Sequence, residues 1–496
     1  MSSLLNNARV QTPPARAGSL SVPVELITVV LLTAVALALR ASQLHQSVGG
    51  DEIFTYQDVV GRSLHSVLTT VHTGGENSPP LFFLLAWATA KLGDPSVWIR
   101  LPSLLAGTAS VPLAYVLGRE TVGRTAGLIA ALIMAIAPFA VFYGVEARPY
   151  ALMIFLVSLS TLALLRAVRP GASRWWWVLY ALAAAAAAYT HYTCIFVLAL
   201  QGLWSVWVCR QRIAALMANL AIVILYLPWL PQLRGKSLAV IGDLYPLGAH
   251  RVLTDLLRPI GGHPAAPLRA IPTIPGLIAL GLCVLAGVVA LVIDLRRSPP
   301  SGWRARLPQH LPLIIGLTLA TPVGLLLYSL LFTDLWLPRG LSASIPAAAL
   351  LVGALLAALP VRLTALAAAV VAVVLATGTM RSFDAVYSRG PYRAIAARLD
   401  RTAGPRSPIY LLSLEGALAL PEQAHQPHTF VPNLPTMWKD TPVGGRAYLV
   451  LDEALAHLIL HTQNGVTHPG NFTLLSSTRY GGALATSLLV YRRTAR

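Results

Sequence analysis

Asp51 and Glu52 stand side by side after Gly49-Gly50, just beyond the first long apolar run of the chain. Only 19 of the 496 residues are Asp or Glu, so an acid doublet at the mouth of an apolar segment is a candidate for chemistry rather than solvation. A carboxylate at a bilayer surface loses part of its hydration, which raises its pKa toward the range of a general base. The plainer alternative is a cap, since Asp is a good helix N-cap. The stretch that follows, with Val59, Val60, Leu64, Val67, Leu68 and Val71 among polar residues, has the pattern of a helix lying in the interface.

Other candidates gather at the ends of apolar runs. In Tyr143–Leu152, "YGVEARPYAL", Glu146 and Arg148 sit between two apolar runs with almost no loop. Ionisable groups at that depth line polar cavities or pair with one another. Arg148 suits a phosphate and Glu146 a hydroxyl-rich substrate; the alternative is a local Glu146–Arg148 pair. Glu76 lies in a polar loop, "HTGGENSPP", whose Pro79-Pro80 opens a short apolar helix. His191 joins two apolar runs, as a structural junction or a ligand, and Arg339 stands at the end of another, where it grips substrate or snorkels to lipid phosphate. No Asp-x-Asp pair, glycine-rich phosphate loop, His-Glu-x-x-His or Gly-x-Ser-x-Gly is present. The three cysteines, Cys194, Cys209 and Cys283, have neither zinc-site nor disulfide-framework spacing.

The elements that must position these residues are membrane helices. Hydrophobic residues make up 56% of the chain and charged residues 11%, less than half the charge of an average soluble domain. The mean hydropathy is +0.66. The net charge of +18 comes without a basic-aromatic module, so it reports topology and anionic head groups and no nucleic acid is expected. Lysine is confined to positions 91, 236 and 439 while arginine and alanine abound, the bias of a GC-rich genome such as an actinobacterium's.

Apolar runs occur near 22–40, 79–93, 101–118, 125–143, 149–165, 175–190, 191–209, 213–230, 273–293, 311–333, 341–360 and 363–380. Basic loops mark the cytoplasmic side, and 119–124, 166–174, 210–212, 296–306 and Arg362 share a side only if the short run 79–93 is re-entrant. That gives about eleven spans, a cytoplasmic N-terminal tail at 1–21, and a membrane body at 22–383 with outer loops at 41–100 and 231–272. The 231–272 loop carries Arg234, Lys236, Arg251, Arg258 and Arg269 on the supposed outer side, which strains the scheme unless those charges hold a phosphate. After Arg381 the apolar runs stop. Residues 384–496 read as a small mixed α/β domain outside the cell, with a helix over 392–403, strands near 409–413, 446–451, 472–480 and 486–491, and a Gly481-Gly482 hairpin turn.

At Asp51-Glu52, Pro79-Pro80, "RLPSLLAG" (100–107) and "EARPYAL" (146–152) the chain resembles the GT-C superfamily of integral membrane glycosyltransferases. It looks most similar to the branch of protein O-mannosyltransferases, aminoarabinose transferases and predicted actinobacterial mannosyltransferases. The resemblance implies a GT-C-like helical fold in the plasma membrane and a polyprenyl-phosphate sugar as donor. It further implies an acceptor glycan, glycolipid or protein, inversion at the anomeric carbon, and neither cofactor nor essential metal. It places the catalytic acid at Asp51 with Glu52 beside it. Glu76, Glu146, Arg148, Tyr150, His191 and Arg339 are the expected substrate contacts. A lipid or solute transporter and a non-catalytic envelope scaffold are the rival readings.

Overall fold

The computed structural model describes residues 22–73, 77–208, 212–233, 246–297, 310–405, 407–431, 437, 439–452, 471–481 and 486–495. The tail 1–21, Glu76, Arg234, Lys236, Cys209 and Gly482 lie outside them. The described chain is a polytopic helical membrane protein carrying a small C-terminal sheet domain. Among the described residues, eight helices, from Pro23–Ala41 to Val361–Ser382, are long and apolar enough to cross a membrane. Four shorter apolar helices accompany them: Leu81–Leu92, Arg124–Ile136, Trp175–Ala188 and Tyr192–Val208. The sequence leads to about eleven crossings, and three of those fall on short helices. Arg124–Ile136 has 13 residues, about 20 Å of rise against a hydrocarbon core of about 30 Å.

One expected span is broken for a clear reason. Residues 125–143 were expected as a single run, but the helix stops at Ile136, Ala137 is extended, and a new helix starts at Pro138. Proline has no N–H to continue the ladder and clashes with the preceding turn. The carbonyls this frees are taken up by Arg40, which reaches Met134 O at 2.8 Å and Ala135 O at 3.1 Å, and by Thr379 Oγ1 on Ile136 O at 2.6 Å; Arg40 also reaches Ala140 O, beyond the break, at 3.1 Å. An arginine buried in the first span thus fixes the bend that leads into the buried segment Phe142–Arg148. Arg124–Ile136 packs tightly because its neighbour is small as well: a Cβ on Gly118 would lie 2.2 Å from Gly127 Cα. Leucines, isoleucines and valines such as Leu26, Ile27, Leu220, Ile278 and Leu282 stay exposed on the perimeter, where lipid would cover them.

The C-terminal sheet has strands β1 (Pro408–Leu412), β2 (Thr429–Val431), β3 (Arg446–Asp452), β4 (Phe472–Tyr480) and β5 (Thr486–Arg493). Their order is β2-β1-β3-β5-β4. β1 is parallel to β2 and β3, whereas β5 is antiparallel to β3 and β4. The expected helix and four strands are present within a few residues of their expected ends. The helix Leu414–Gln423 and the short β2 were not foreseen. "LEGALALPEQ" carries Pro421 and no clear period; what starts the helix is Ser413, whose hydroxyl accepts from Gly416 N at 2.7 Å.

Candidate active site

Asp51 ends the loop that leaves the first span and precedes the helix Glu52–Val59. Its carboxylate makes no capping hydrogen bond. Oδ2 pairs instead with Arg339 Nη1 at 2.8 Å, and both residues belong to the wall of a cavity of about 970 Å³. Arg339 comes from the 3-10 turn Pro338–Ser344, at the head of the helix Ile345–Ala357. Two expectations separated by nearly three hundred positions in the chain therefore meet, and the capping alternative for Asp51 gives way to an ion pair.

Glu146 enters the same wall from the turn after the Pro138 bend. It is 6% exposed, and its Oε2 has no hydrogen-bond partner among the described residues. Burial pushes its carboxyl up to about 8, with Asp51 and Glu52 adding to the rise and Arg389 and Arg148 opposing it. Burial thus favours its protonated form, which can donate a hydrogen bond into the cavity.

The strained basic loop supplies the cations. In the helix Ala249–Gly261, Arg251, Asp255 and Arg258 recur at helical spacing and line the cavity, while Leu253, Leu256 and Leu257 are exposed on the other side. Arg258 Nη1 lies 3.2 Å from Asp255 Oδ1, and Arg251 lies 3.7 Å from Asp255 Oδ2 and 3.8 Å from Asp334 Oδ2. Arg251 also donates to Trp336 O. Arg269 and Arg389 complete the basic part of the wall, and Leu268, Ile274, Leu277 and Leu337 give it an apolar part. Ile274 is exposed at the head of the span Ile274–Arg296, so the apolar part adjoins the lipid-facing perimeter.

Glu52 was expected beside Asp51 at the reacting centre, and the structure places it elsewhere. It has no exposed surface and lies behind the wall. Arg100 grips it with Nε–Oε1 at 2.9 Å and Nη2–Oε2 at 2.6 Å, Ala147 N donates to Oε1 at 2.7 Å, and Arg389 Nε stands 3.3 Å from Oε2. Burial alone would raise its pKa, but Arg100 and Arg389 outweigh that and hold the carboxyl below its ordinary value. Arg100 also donates to Leu44 O, Gln46 O and Ser47 O at 2.5, 2.7 and 2.9 Å, cinching the loop that leads to Asp51.

Of the remaining expected contacts, Arg148, Tyr150 and His191 stand outside the cavity wall. Arg148 Nη1 reaches Thr55 Oγ1 at 3.3 Å and its guanidinium lies 5.8 Å from the Phe83 ring centre. Tyr150 is buried between Tyr143 and His191, with ring centres 4.8 and 5.3 Å away. His191 Nδ1 accepts from Thr193 N at 3.3 Å and caps a 3-10 turn, as the structural alternative has it. Glu76 lies outside the described residues. Arg389, Asp255 and the role of Arg100 were missed. Arg389 follows the last apolar run and read as the start of the C-terminal domain; its only signal was a lone basic residue beside Gly390-Pro391.

The arrangement of a helical body, a cavity and a terminal sheet domain is shared with solved membrane proteins. ArnT from Cupriavidus metallidurans in its apo state superposes with a TM-score of 0.52 at 14% identity, covering 95% of this chain and 98% of that one. The same protein bound to undecaprenyl phosphate gives 0.52 at 15% identity, covering 93% and 97%. Residues 77–232 match the family model of dolichyl-phosphate-mannose-protein mannosyltransferases. Two curated Bacillus subtilis (strain 168) proteins, YkcB and YycA, carry the name of candidate mannosyltransferases. They are 35% identical over 100 residues and 33% over 107, which is 20% and 21% of this chain. Those matches span only 14% and 16% of the two relatives' lengths. The chain thus has the fold of ArnT, and its residues 77–232 carry the likeness to the mannosyltransferase family model.

Proposed function

We propose that the protein is a glycosyltransferase that moves a sugar from a polyprenyl-phosphate donor to an acceptor hydroxyl with inversion. The observation that carries this reading is a single cavity holding one accessible carboxylate, Asp51, an arginine-rich wall and an apolar side open toward lipid. The apolar side at Leu268, Ile274 and Leu277 suits a prenyl chain, and the arginines suit its phosphate. The charge balance agrees. In the wall and the ion pairs directly behind it stand six guanidinium groups (Arg100, Arg251, Arg258, Arg269, Arg339, Arg389) and four carboxylates (Asp51, Glu52, Asp255, Asp334). With Glu146 protonated, six against four leaves two positive charges, and a departing phosphate monoester carries about two negative ones. That ArnT has been seen with undecaprenyl phosphate fits a donor of this class.

The reaction divides among the residues as follows. Asp51 takes the proton of the acceptor hydroxyl, whose oxygen bonds to the anomeric carbon as the bond from that carbon to the phosphate oxygen breaks. Arg339 and Arg258 neutralise the polyprenyl phosphate that leaves. Arg339 is held by Asp51 at 2.8 Å, so an arriving phosphate competes for it and frees the base. Glu146, protonated, donates a hydrogen bond to a sugar hydroxyl. Glu52 acts through Arg100 and Ala147 N as a positioning residue. No metal has a role in this scheme, and the cavity faces the outside of the plasma membrane with the N-terminus in the cytoplasm. The sugar is a hexose or pentose, with mannose suggested by the relatives' names.

Binding of undecaprenyl phosphate to purified Arg339→Gln protein tests the phosphate assignment. A charge-assisted hydrogen bond contributes about 1.5–3 kcal/mol, so the affinity is expected to fall by about 10- to 100-fold. An unchanged affinity removes Arg339 from the phosphate site.

A further inference from the structure

The segment that delivers Asp51 lies along the start of the C-terminal domain almost residue by residue. Arg393 Nη1 donates to His45 O at 3.2 Å, Arg389 N to Gln46 Oε1 at 3.5 Å, Arg393 N to Ser47 Oγ at 2.9 Å and Gln423 Nε2 to Val48 O at 3.0 Å. Gly49 then presses on Gly390, where a Cβ would lie 2.9 Å from Gly390 N. On both sides of Asp51, Val48 and Ile53 are buried in one apolar core with Tyr392, Ile395, Leu399, Leu411 and Leu420 of the C-terminal domain. The loop's backbone carbonyls are thus shared between Arg100 and the C-terminal domain, while its apolar anchors pack against residues more than three hundred positions away.

The same domain reaches the second acid. Arg389 pairs with Glu52 Oε2 at 3.3 Å, donates to Phe142 O at 3.3 Å and lies 4.8 Å from the Phe142 ring centre. Glu52 in turn receives Ala147 N, the residue after Glu146. Asp51, Glu146 and the C-terminal domain are therefore tied through one fully buried carboxylate.

We propose that the C-terminal domain is a positioning clamp for the catalytic loop, with Arg393 and the Gly49–Gly390 contact fixing Asp51 at the reacting centre. The inference rests on the proposed glycosyl transfer and gives the domain a part in it that does not require contact with substrate. Arg393 is the informative residue because it is absent from the cavity wall, so its loss removes no substrate contact. Its guanidinium also pairs with Asp94 at 3.4 Å and donates to Ser96, which locks the loop against the turn before the helix Leu101–Thr121.

The test uses the full-length protein in lipid nanodiscs, comparing wild type with Arg393→Ala, Arg393→Lys and Gly49→Ala. Amide exchange over residues 44–53 is expected to speed up by about tenfold or more in Arg393→Ala and Gly49→Ala, with Arg124–Ile136 unchanged. In Arg393→Ala turnover is expected to fall by about 10- to 100-fold in kcat, the scale of a misplaced catalytic group, while undecaprenyl phosphate affinity stays within about twofold. Arg393→Lys, which keeps the charge, recovers part of both. Unchanged exchange over 44–53 overturns the clamp, as does a loosened loop with full turnover or an equal loss of phosphate affinity. A wild type that transfers from no donor defeats the proposed function instead, and the exchange data then decide the clamp alone.

Discussion

The two ends of the helical body use the same residue types for different ends. Away from the cavity, Glu120 is held by Arg166 at 2.8 Å and Arg169 at 3.1 Å, and Glu25 by Tyr115 at 2.8 Å and Arg124 at 3.4 Å. Those acids are buried and locally paired, and neither borders the cavity. At the cavity end, Glu146 and Asp255 are also buried and Asp51 is half-buried, yet they share a wall with more guanidinium groups than they neutralise. Burial of an acid is thus a poor sign of function in a membrane protein. A surplus of opposite charge around shared empty space is the better one, because desolvating unmatched charge is costly unless a ligand completes it.

The sharpest way to break this contrast is to neutralise one buried acid at each end. Glu52→Gln removes the partner of two buried arginines, and breaking such a pair costs about 3–5 kcal/mol. The expected result is a large drop in thermal stability together with loss of turnover. A stable and active Glu52→Gln protein would show that the network behind the wall positions nothing.

A smaller effect is expected from pH. The Glu146 carboxyl sits at about 8 in the folded protein, above its ordinary value, because burial disfavours its charge. The folded state therefore binds the extra proton, and the stability this gives is complete below the ordinary carboxylate pKa and lost as pH rises toward and through about 8. Activity should show an alkaline limb near pH 8, and Glu146→Gln should flatten it. A limb that persists in Glu146→Gln assigns the titration to another group. Smallest of all is Glu120→Gln at the far end. Its partner Arg169 is half exposed, so the change should cost about 1 kcal/mol and leave turnover intact.

Much of this was legible in the sequence, and the failures have physical causes. Asp51, Glu146 and Arg339 stood out because charge is rare in apolar sequence, and the basic 231–272 loop stood out because it broke the charge bias of the other loops. Arg251, Arg258 and Arg269 of that loop do line the cavity. Glu52, Arg148, Tyr150 and His191 share the same local signals but stand outside the wall, because adjacency in sequence does not say which way a side chain points once a helix begins. Arg389 was hidden because its role arises from a contact with Glu52 across the fold. The interruption at Pro138 was missed because residues 125–143 are apolar almost throughout and read as one run, and its repair by Arg40 depends on helix packing.

The most direct test of the account is transfer of radiolabelled sugar from a panel of polyprenyl-phosphate sugars in membranes, comparing wild type with Asp51→Asn at matched expression. Transfer from one donor, reduced by about 10²- to 10⁴-fold in Asp51→Asn with undecaprenyl phosphate binding retained, is the predicted result. Transfer that survives in Asp51→Asn at the wild-type rate would contradict the account at its centre.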